Sequence, residues 1–147
     1  MILVFFGQPH SGKTTLAKQF STYKNIDGDE LRELFANKDY SREGRIKNLN
    51  RASDIAHYLN SQEDDVTLSL VYPYKEARDY LNSLTEDVAW VFLHYDDTRG
   101  REQFHVKDFE LNLLEENALS LNTSDLLVEE CVKQVNQYVN QKRSRVL

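Results

Sequence analysis

The chain has 147 residues, a length that fits one domain of ordinary size with a hydrophobic core of its own. Its formal charge of -6 argues against broad, non-specific nucleic-acid binding, which requires a basic surface, but permits a small anionic ligand in a local basic pocket. The single cysteine, Cys131, excludes an intramolecular disulfide and a multi-cysteine metal site, and we expect it to be reduced and buried.

The first predicted element is a strand at Ile2–Phe6, because a continuous apolar run is typical of a parallel strand buried on both faces. This run is too short to span a membrane and lacks a basic leader and a cleavage site, so we expect a cytoplasmic protein without membrane association. A helix follows, with Leu16, Ala17 and Phe20 on its inward face.

The rest of the chain alternates between apolar runs and helical patterns. A short strand at 23–26 precedes one or two helical turns at 30–35, and Ser124 or Thr123 is predicted to cap a closing helix with Leu127, Cys131 and Val135 facing inward. The other predicted elements are helices at 42–59 and 74–84 and strands at 66–71, 88–93 and 119–121. This alternation predicts βαβ units around a parallel sheet, in one domain over 1–147 with a lid at 96–110.

The loop at residues 7–14 fits the pattern G-x-x-x-x-G-K-[ST] at every fixed position. Its glycines allow successive backbone N–H groups to surround a phosphate, and the helix that follows adds its N-terminal dipole. Lys13 can reach the β- and γ-phosphates, and the Thr14 hydroxyl can ligate Mg²⁺. We therefore predict nucleoside triphosphate binding. The residues predicted to bind ATP here are Gly7, His10, Ser11, Gly12, Lys13, Thr14 and Thr15, with His10 read as a solvent-facing loop residue rather than a catalyst.

Three classes of protein use such a loop, and each leaves different marks. A GTPase would carry N-K-x-D after a late strand, whereas Asn37-Lys38-Asp39 lacks the spacer and comes too early. An ATPase would carry two acids at the end of a strand, which Asp96 and Asp97 imitate after the run at 88–93.

A kinase would place a carboxylate where Asp27-Gly28-Asp29 ends the second strand, at the carboxyl edge of the sheet. Asp27 or Asp29 can accept the proton of an attacking hydroxyl or hold Mg²⁺, although a helix cap before Glu30 is the structural alternative.

With these motifs in place, the chain resembles the adenylylsulfate kinases, which phosphorylate the 3′-hydroxyl of adenosine 5′-phosphosulfate. That family follows its phosphate loop with D-G-D-x-x-R, here Asp27-Gly28-Asp29-Glu30-Leu31-Arg32. The further matching positions are Tyr40-Ser41, Arg45, Asn48, Arg51, Pro73-Tyr74, Arg78, Leu121-Asn122-Thr123 and VEECV at 128–132. The resemblance implies a P-loop NTPase fold, like that of the nucleoside monophosphate kinases, as a three-layer α/β sandwich with a parallel sheet of about five strands.

The resemblance also implies roles for individual residues. Lys13 would hold ATP phosphates, Thr14 and Asp27 would hold Mg²⁺, and Asp27 or Asp29 would activate the hydroxyl. Arg99 or Arg101 from the lid would reach the transferring phosphoryl group. The residues implied for the anionic acceptor are Arg32, Arg45 and Asn48, with Tyr40 stacked on its base.

The chain departs from the family at two places. Tyr72 stands where the family has a serine before the proline, and the insert after the fourth strand is much shortened, with Phe109-Glu110 as a remnant. The open alternatives are therefore a kinase for another nucleotide or sugar hydroxyl, a nucleotide-binding regulatory module, and an ATPase that uses Asp96 or Asp97. A homodimer is an open alternative for its assembly.

Overall fold

The computed structural model describes residues 1–96, 106–111 and 117–146. In this part of the chain, five strands form a parallel sheet in the order β2-β3-β1-β4-β5. The strands are β1 Ile2–Phe6, β2 Lys24–Asp27, β3 Val66–Ser69, β4 Val88–His94 and β5 Ala118–Asn122. The helices are α1 Lys13–Ala17, α2 Gly28–Leu34, α3 Arg42–Ser61, α4 Lys75–Leu84 and α5 Val128–Val146. The predicted α/β fold with about five parallel strands is confirmed.

The central strand β1 explains why helices cover both faces of the sheet. Ile2, Val4 and Phe6 pack into one hydrophobic cluster, while Leu3 and Phe5 pack into the other. Side chains alternate between the two faces of a strand, so a run of five apolar residues requires cover on each side. The sheet is therefore the middle layer of three.

The two helical layers bury their own apolar side chains against this sheet. On one face, α3 and α4 contribute Leu49, Ala52, Ala56, Ala77 and Leu81. On the other face, α1 and α5 contribute Leu16, Ala17, Cys131, Val135 and Val139. Cys131 is buried as predicted, and burial together with the charge of Glu130 raises the pKa of its thiol.

The predicted start of the closing helix is wrong. The helix begins at Val128, and Leu127, expected on its inward face, is 67% exposed. The Ser124 hydroxyl accepts from the Asp96 N–H at 2.9 Å, and Thr123 donates to the carbonyl oxygens of Ser11 and His94, each at 3.2 Å. Both side chains thus bind neighbouring loops instead of capping the helix.

The other element boundaries move by a few residues. Strand β2 starts and ends one residue later than predicted, β3 ends at Ser69 rather than 71, and β5 extends to Ala118–Asn122. In the described residues, none of the helices is long and apolar enough to cross a membrane.

Candidate active site

The loop between β1 and α1 has the backbone that its two glycines permit. Gly7 has φ 147°, and a Cβ there would lie 2.2 Å from the carbonyl oxygen of Leu93 on β4, so only glycine fits. Gly12 has φ 98° and precedes the first residue of α1. The loop is therefore held tightly against the carboxyl ends of β1 and β4.

Lys13 is folded back onto this loop. Its Nζ donates to the carbonyl oxygens of Gln8 at 2.8 Å and Gly7 at 3.2 Å, and lies 3.5 Å from the hydroxyl of Ser11. Burial lowers the pKa of Lys13 to about 8, and the charges of Asp29 and Asp27 oppose that shift. A partly buried ammonium whose acceptors are all neutral is well suited to bind an anion.

Asp27 joins the phosphate loop to the second strand. Its Oδ2 accepts from the Thr14 hydroxyl at 3.3 Å, while its Oδ1 accepts from the backbone N–H groups of Asp29 at 2.9 Å and Glu30 at 3.2 Å. The helix cap anticipated at Asp29 is therefore made by Asp27, and Asp29 lies in the first turn of α2. A hydroxyl and a carboxylate oxygen this close form a hard-oxygen pair of the kind that holds Mg²⁺ together with water and substrate phosphates.

One pocket of about 710 Å³ brings the predicted donor and acceptor residues together. Lys13 lines it from the start of α1, Asp27 from the end of β2, and Arg45 from α3. The other predicted residues in its lining are His10, Gly12, Thr14, Thr15, Asp29, Arg32, Tyr40 and Asn48. Gly7 and Ser11 lie beneath the lining, since both are buried.

Two of the predicted acceptor residues hold each other. The Arg32 guanidinium lies 4.2 Å from the centroid of the Tyr40 ring, and its Nη1 donates to the carbonyl oxygens of Asp39 at 3.0 Å and Asn37 at 3.2 Å. Tyr40 is 63% exposed, so its ring forms part of the pocket rim. Asn37 and Asp39, the imperfect guanine-reader motif, form the turn that leads into α3, where the Asn37 side chain donates to Gly44 O at 3.1 Å.

Asn48 carries an unused acceptor in the pocket. The residue is 4% exposed, and its Nδ2 donates to the carbonyl oxygen of Gly28 at 3.4 Å. Its Oδ1 is buried and has no hydrogen-bond partner among the described residues. A buried polar atom without a partner is costly, so a hydrogen-bond donor brought to this oxygen would stabilise the site.

Several predicted residues have other placements. Asp97, Arg99 and Arg101 lie outside the described residues. Asp96 accepts from the Asn122 side chain at 2.9 Å and is not part of the pocket lining. Arg78 is buried and donates to the carbonyl oxygens of Tyr72 at 2.7 Å and Glu110 at 2.6 Å, which makes it a structural brace. Burial lowers the pKa of its guanidinium.

Sequence reasoning missed the apolar part of the pocket. Leu49, Leu70, Val71, Pro73 and Val106 line it beside the charged residues. The alternation of apolar residues identifies the core, but it does not distinguish residues that bury each other from residues that face a ligand. The pocket therefore offers an apolar wall next to a basic and acidic one.

The strand order and the glycine-lysine loop define a P-loop kinase fold. The chain belongs to the adenylylsulphate kinase family, whose model matches residues 1–103. It is 30% identical to the cytidine diphosphoramidate kinase of Campylobacter jejuni over 103 residues, which cover 65% of this chain and 61% of that protein.

Two further proteins extend the comparison over nearly the whole chain. The chain is 24% identical to the adenylyl-sulfate kinase of Staphylococcus carnosus, over 97% of this chain and 85% of that one. Its fold is similar to that of the Mycobacterium tuberculosis APS kinase CysC, solved in complex with AMPPNP and APS. For this pair the TM-score is 0.76 and the identity 19%, over 95% of this chain and 96% of that one.

Proposed function

We propose that this chain is a kinase that uses ATP and Mg²⁺ to phosphorylate the 3′-hydroxyl of adenosine 5′-phosphosulfate. The observation that carries the proposal is the shared pocket, in which the phosphate loop faces Arg32, Arg45 and Asn48 with two carboxylates alongside. Membership of the adenylylsulphate kinase family supports it. Such a reaction depends mainly on positioning and on the neutralisation of charge.

The donor side of the pocket would bind ATP. Lys13 would exchange its carbonyl acceptors for β- and γ-phosphate oxygens, and the loop N–H groups would surround the phosphates. Thr14 and Asp27 supply the oxygen atoms that fit Mg²⁺, and the ion would neutralise phosphate charge. The remaining predicted contacts to ATP, including those of Arg99 and Arg101, are part of this proposal.

The acceptor side would bind the anionic nucleotide. Arg32 and Arg45 would neutralise its phosphosulfate, and the free face of Tyr40 would stack on its base. The acceptor hydroxyl oxygen would form a bond to the γ-phosphorus as the bond between that phosphorus and the β–γ bridging oxygen breaks. The hydroxyl proton would pass to the carboxylate of Asp27 or Asp29, and ADP would leave.

A coupled assay of ADP release tests the proposal. We expect turnover with adenosine 5′-phosphosulfate, and none in its absence. Turnover with another acceptor but not with adenosine 5′-phosphosulfate would contradict the proposed substrate and would still support a kinase. ATP binding without turnover on any acceptor would favour a regulatory module.

The relationship to a cytidine diphosphoramidate kinase favours one second candidate. In this candidate the acceptor is another nucleotide that carries a modified phosphate group, and the same two arginines would bind that group. The assay panel therefore contains cytidine diphosphoramidate beside adenosine 5′-phosphosulfate, and the ratio of the two kcat/KM values decides between them. The cytoplasmic location and the homodimer stay predictions from the sequence.

A further inference from the structure

The side chain of Gln8 is paired with the backbone of a residue 98 positions away. Its Nε2 donates to the carbonyl oxygen of Val106 at 2.9 Å, and its Oε1 accepts from the Val106 N–H at 2.8 Å. Because the amide uses its donor and its acceptor on the backbone C=O and N–H of the same residue, both its position and its orientation are fixed. Gln8 occupies one of the variable positions of the phosphate-loop pattern, so the phosphate itself does not require a glutamine there.

The other end of the Val106 segment, residues 106–111, is held independently. The Glu110 N–H donates to the carbonyl oxygen of Pro73 at 2.7 Å, and the Glu110 carboxylate accepts from the Lys75 N–H at 2.9 Å. Arg78 donates to the carbonyl oxygen of Glu110. The Val106 segment therefore extends between the phosphate loop and the start of α4, with contacts at both ends.

The segment lies on the acceptor side of the pocket. Phe109 packs against Phe92 with their ring centroids 5.9 Å apart, as part of the hydrophobic cluster that also contains α3 and α4. Val106 lines the pocket together with Arg45 and Asn48 of α3. Phe109 thus places this end of the segment on the face of the sheet that α3 and α4 cover, and Val106 borders the pocket between the phosphate loop and α3.

Gln8 also belongs to the donor side of the pocket. Its carbonyl oxygen accepts from Lys13 Nζ at 2.8 Å while its side chain holds Val106. A single residue thus connects the lysine of the phosphate loop to the apolar wall facing α3. Any shift of the loop at Gln8 is transmitted to the Val106 backbone through two hydrogen bonds.

We propose that Gln8 is a positioning residue, which holds the Val106 wall against the acceptor nucleotide in a fixed relation to the phosphate loop. This inference rests on the proposed kinase function, since it assigns one wall of the pocket to the acceptor. In this proposal Gln8 does not contact the acceptor nucleotide and acts on it only through Val106. The side chain of Gln8 affects acceptor binding. Its backbone carbonyl oxygen, which every side-chain variant retains, accepts from Lys13 on the donor side of the pocket.

Steady-state kinetics with ATP and adenosine 5′-phosphosulfate test the proposal. In Gln8→Ala, we expect KM for adenosine 5′-phosphosulfate to rise roughly tenfold to thirtyfold, the effect of two neutral hydrogen bonds, while KM for ATP changes by less than about threefold. Gln8→Glu retains an acceptor for the Val106 N–H and loses the donor. Its KM for adenosine 5′-phosphosulfate should therefore lie between that of the wild type and that of Gln8→Ala. Gln19→Ala, the same change at an exposed position after α1, serves as the matched control.

Amide hydrogen exchange at Val106 provides a readout that needs no acceptor. The Val106 N–H should exchange faster in Gln8→Ala than in the wild type, and Mg²⁺ with ADP should slow this exchange in the wild type alone. An equal rise of both KM values, or unchanged exchange in Gln8→Ala, would overturn the proposal. If the wild type shows no turnover with adenosine 5′-phosphosulfate, the proposed function fails, and the exchange measurement still decides the role of Gln8.

Discussion

Lys13 holds a positive charge at a place where water solvates it poorly. Its acceptors include two carbonyl oxygens of its own loop, and burial lowers its pKa to about 8. Phosphate oxygens would replace these neutral acceptors with charged ones and favour the protonated form. The side chain is therefore expected to take up a proton, or retain one, when the donor nucleotide binds.

This leads to a prediction for the pH dependence of ADP binding. Affinity should be constant below pH 8 and fall by up to about tenfold per pH unit above it, because the free protein loses the Lys13 proton there. The ordinary pKa of lysine is 10.5, so between 8 and 10.5 the folded state binds fewer protons than the unfolded state, and the Lys13 contribution to stability rises with pH. Calorimetric titration and denaturant unfolding, each between about pH 7.5 and about 9.5, check the two opposite trends.

Lys13→Arg is the control for this titration, because its guanidinium stays charged throughout that range. If ADP affinity changes with pH equally in Lys13→Arg and in the wild type, Lys13 is not the titrating group.

Asn48 separates the requirements of binding from those of stability. Asn48→Leu removes a buried oxygen that has no partner among the described residues and one long hydrogen bond to Gly28. We expect the free energy of unfolding to change by less than about 1 kcal/mol, while KM for the acceptor rises at least about tenfold because a donor group of the acceptor is left without a partner. Denaturant unfolding and steady-state kinetics check both parts, and a large loss of stability with unchanged KM would contradict the prediction.

At the scale of elements, α2 depends on the same carboxylate as the proposed metal site. Asp27 is the N-cap of α2, with one oxygen on the helix and the other on Thr14. The junction between β2 and α2 is therefore fixed by the carboxylate that we propose for the metal site. A metal bound between Thr14 and Asp27 would leave the cap oxygen in place.

Two substitutions at Asp27 distinguish the cap from the chemistry. Asp27→Asn retains a capping oxygen, so we expect a stability loss of a few tenths of a kcal/mol, with ATP still bound and phosphoryl transfer lost. Asp27→Ala removes the N-cap of α2 as well as the carboxylate, so it should lose about 0.5–2 kcal/mol of stability in addition to phosphoryl transfer. Thermal unfolding, nucleotide titration and the ADP-release assay measure these effects, and full transfer activity in Asp27→Asn would exclude Asp27 from the reaction.

How far the sequence predicts an element depends on the range of the interactions that form it. The strand at Ile2–Phe6 and the phosphate loop follow from local patterns, so they were predicted correctly. The start of α5 was predicted wrongly because Thr123 and Ser124 bond to residues distant in the chain, Ser11 and Asp96, rather than to their own helix. The pairing of Gln8 with Val106 leaves no local pattern, since one partner is the backbone of a distant residue.

At the scale of the molecule, the sheet divides the core into two clusters with separate helices. Most of the pocket lies at the carboxyl edge of the sheet, beyond the ends of the strands, whereas many core residues lie between the layers. Stability and ligand binding should therefore respond to different substitutions.

Leu81→Ala tests this separation. Leu81 is completely buried on α4 and does not line the pocket, so its truncation should cost about 2–5 kcal/mol and lower Tm by roughly 2–4 °C per kcal/mol. Mg²⁺ with ADP should raise Tm by a similar amount in the variant and in the wild type. Leu34→Ala, at a residue that is 75% exposed, should change stability by less than about 0.5 kcal/mol.

Tyr72 limits how this pocket can be redesigned. Its backbone has φ 47°, its hydroxyl lies 3.0 Å from the Ser53 hydroxyl, and its ring packs edge-on to Trp90 with centroids 5.4 Å apart. Both of its neighbours, Val71 and Pro73, line the pocket, so exchanging Tyr72 for the family's serine is an obvious first step for changing the acceptor. That exchange would empty a large volume in the core and remove the contact between the Tyr72 and Ser53 hydroxyls. A library that varies positions 53, 72 and 90 together should contain folded variants from which to select. The single exchange would mainly report on folding.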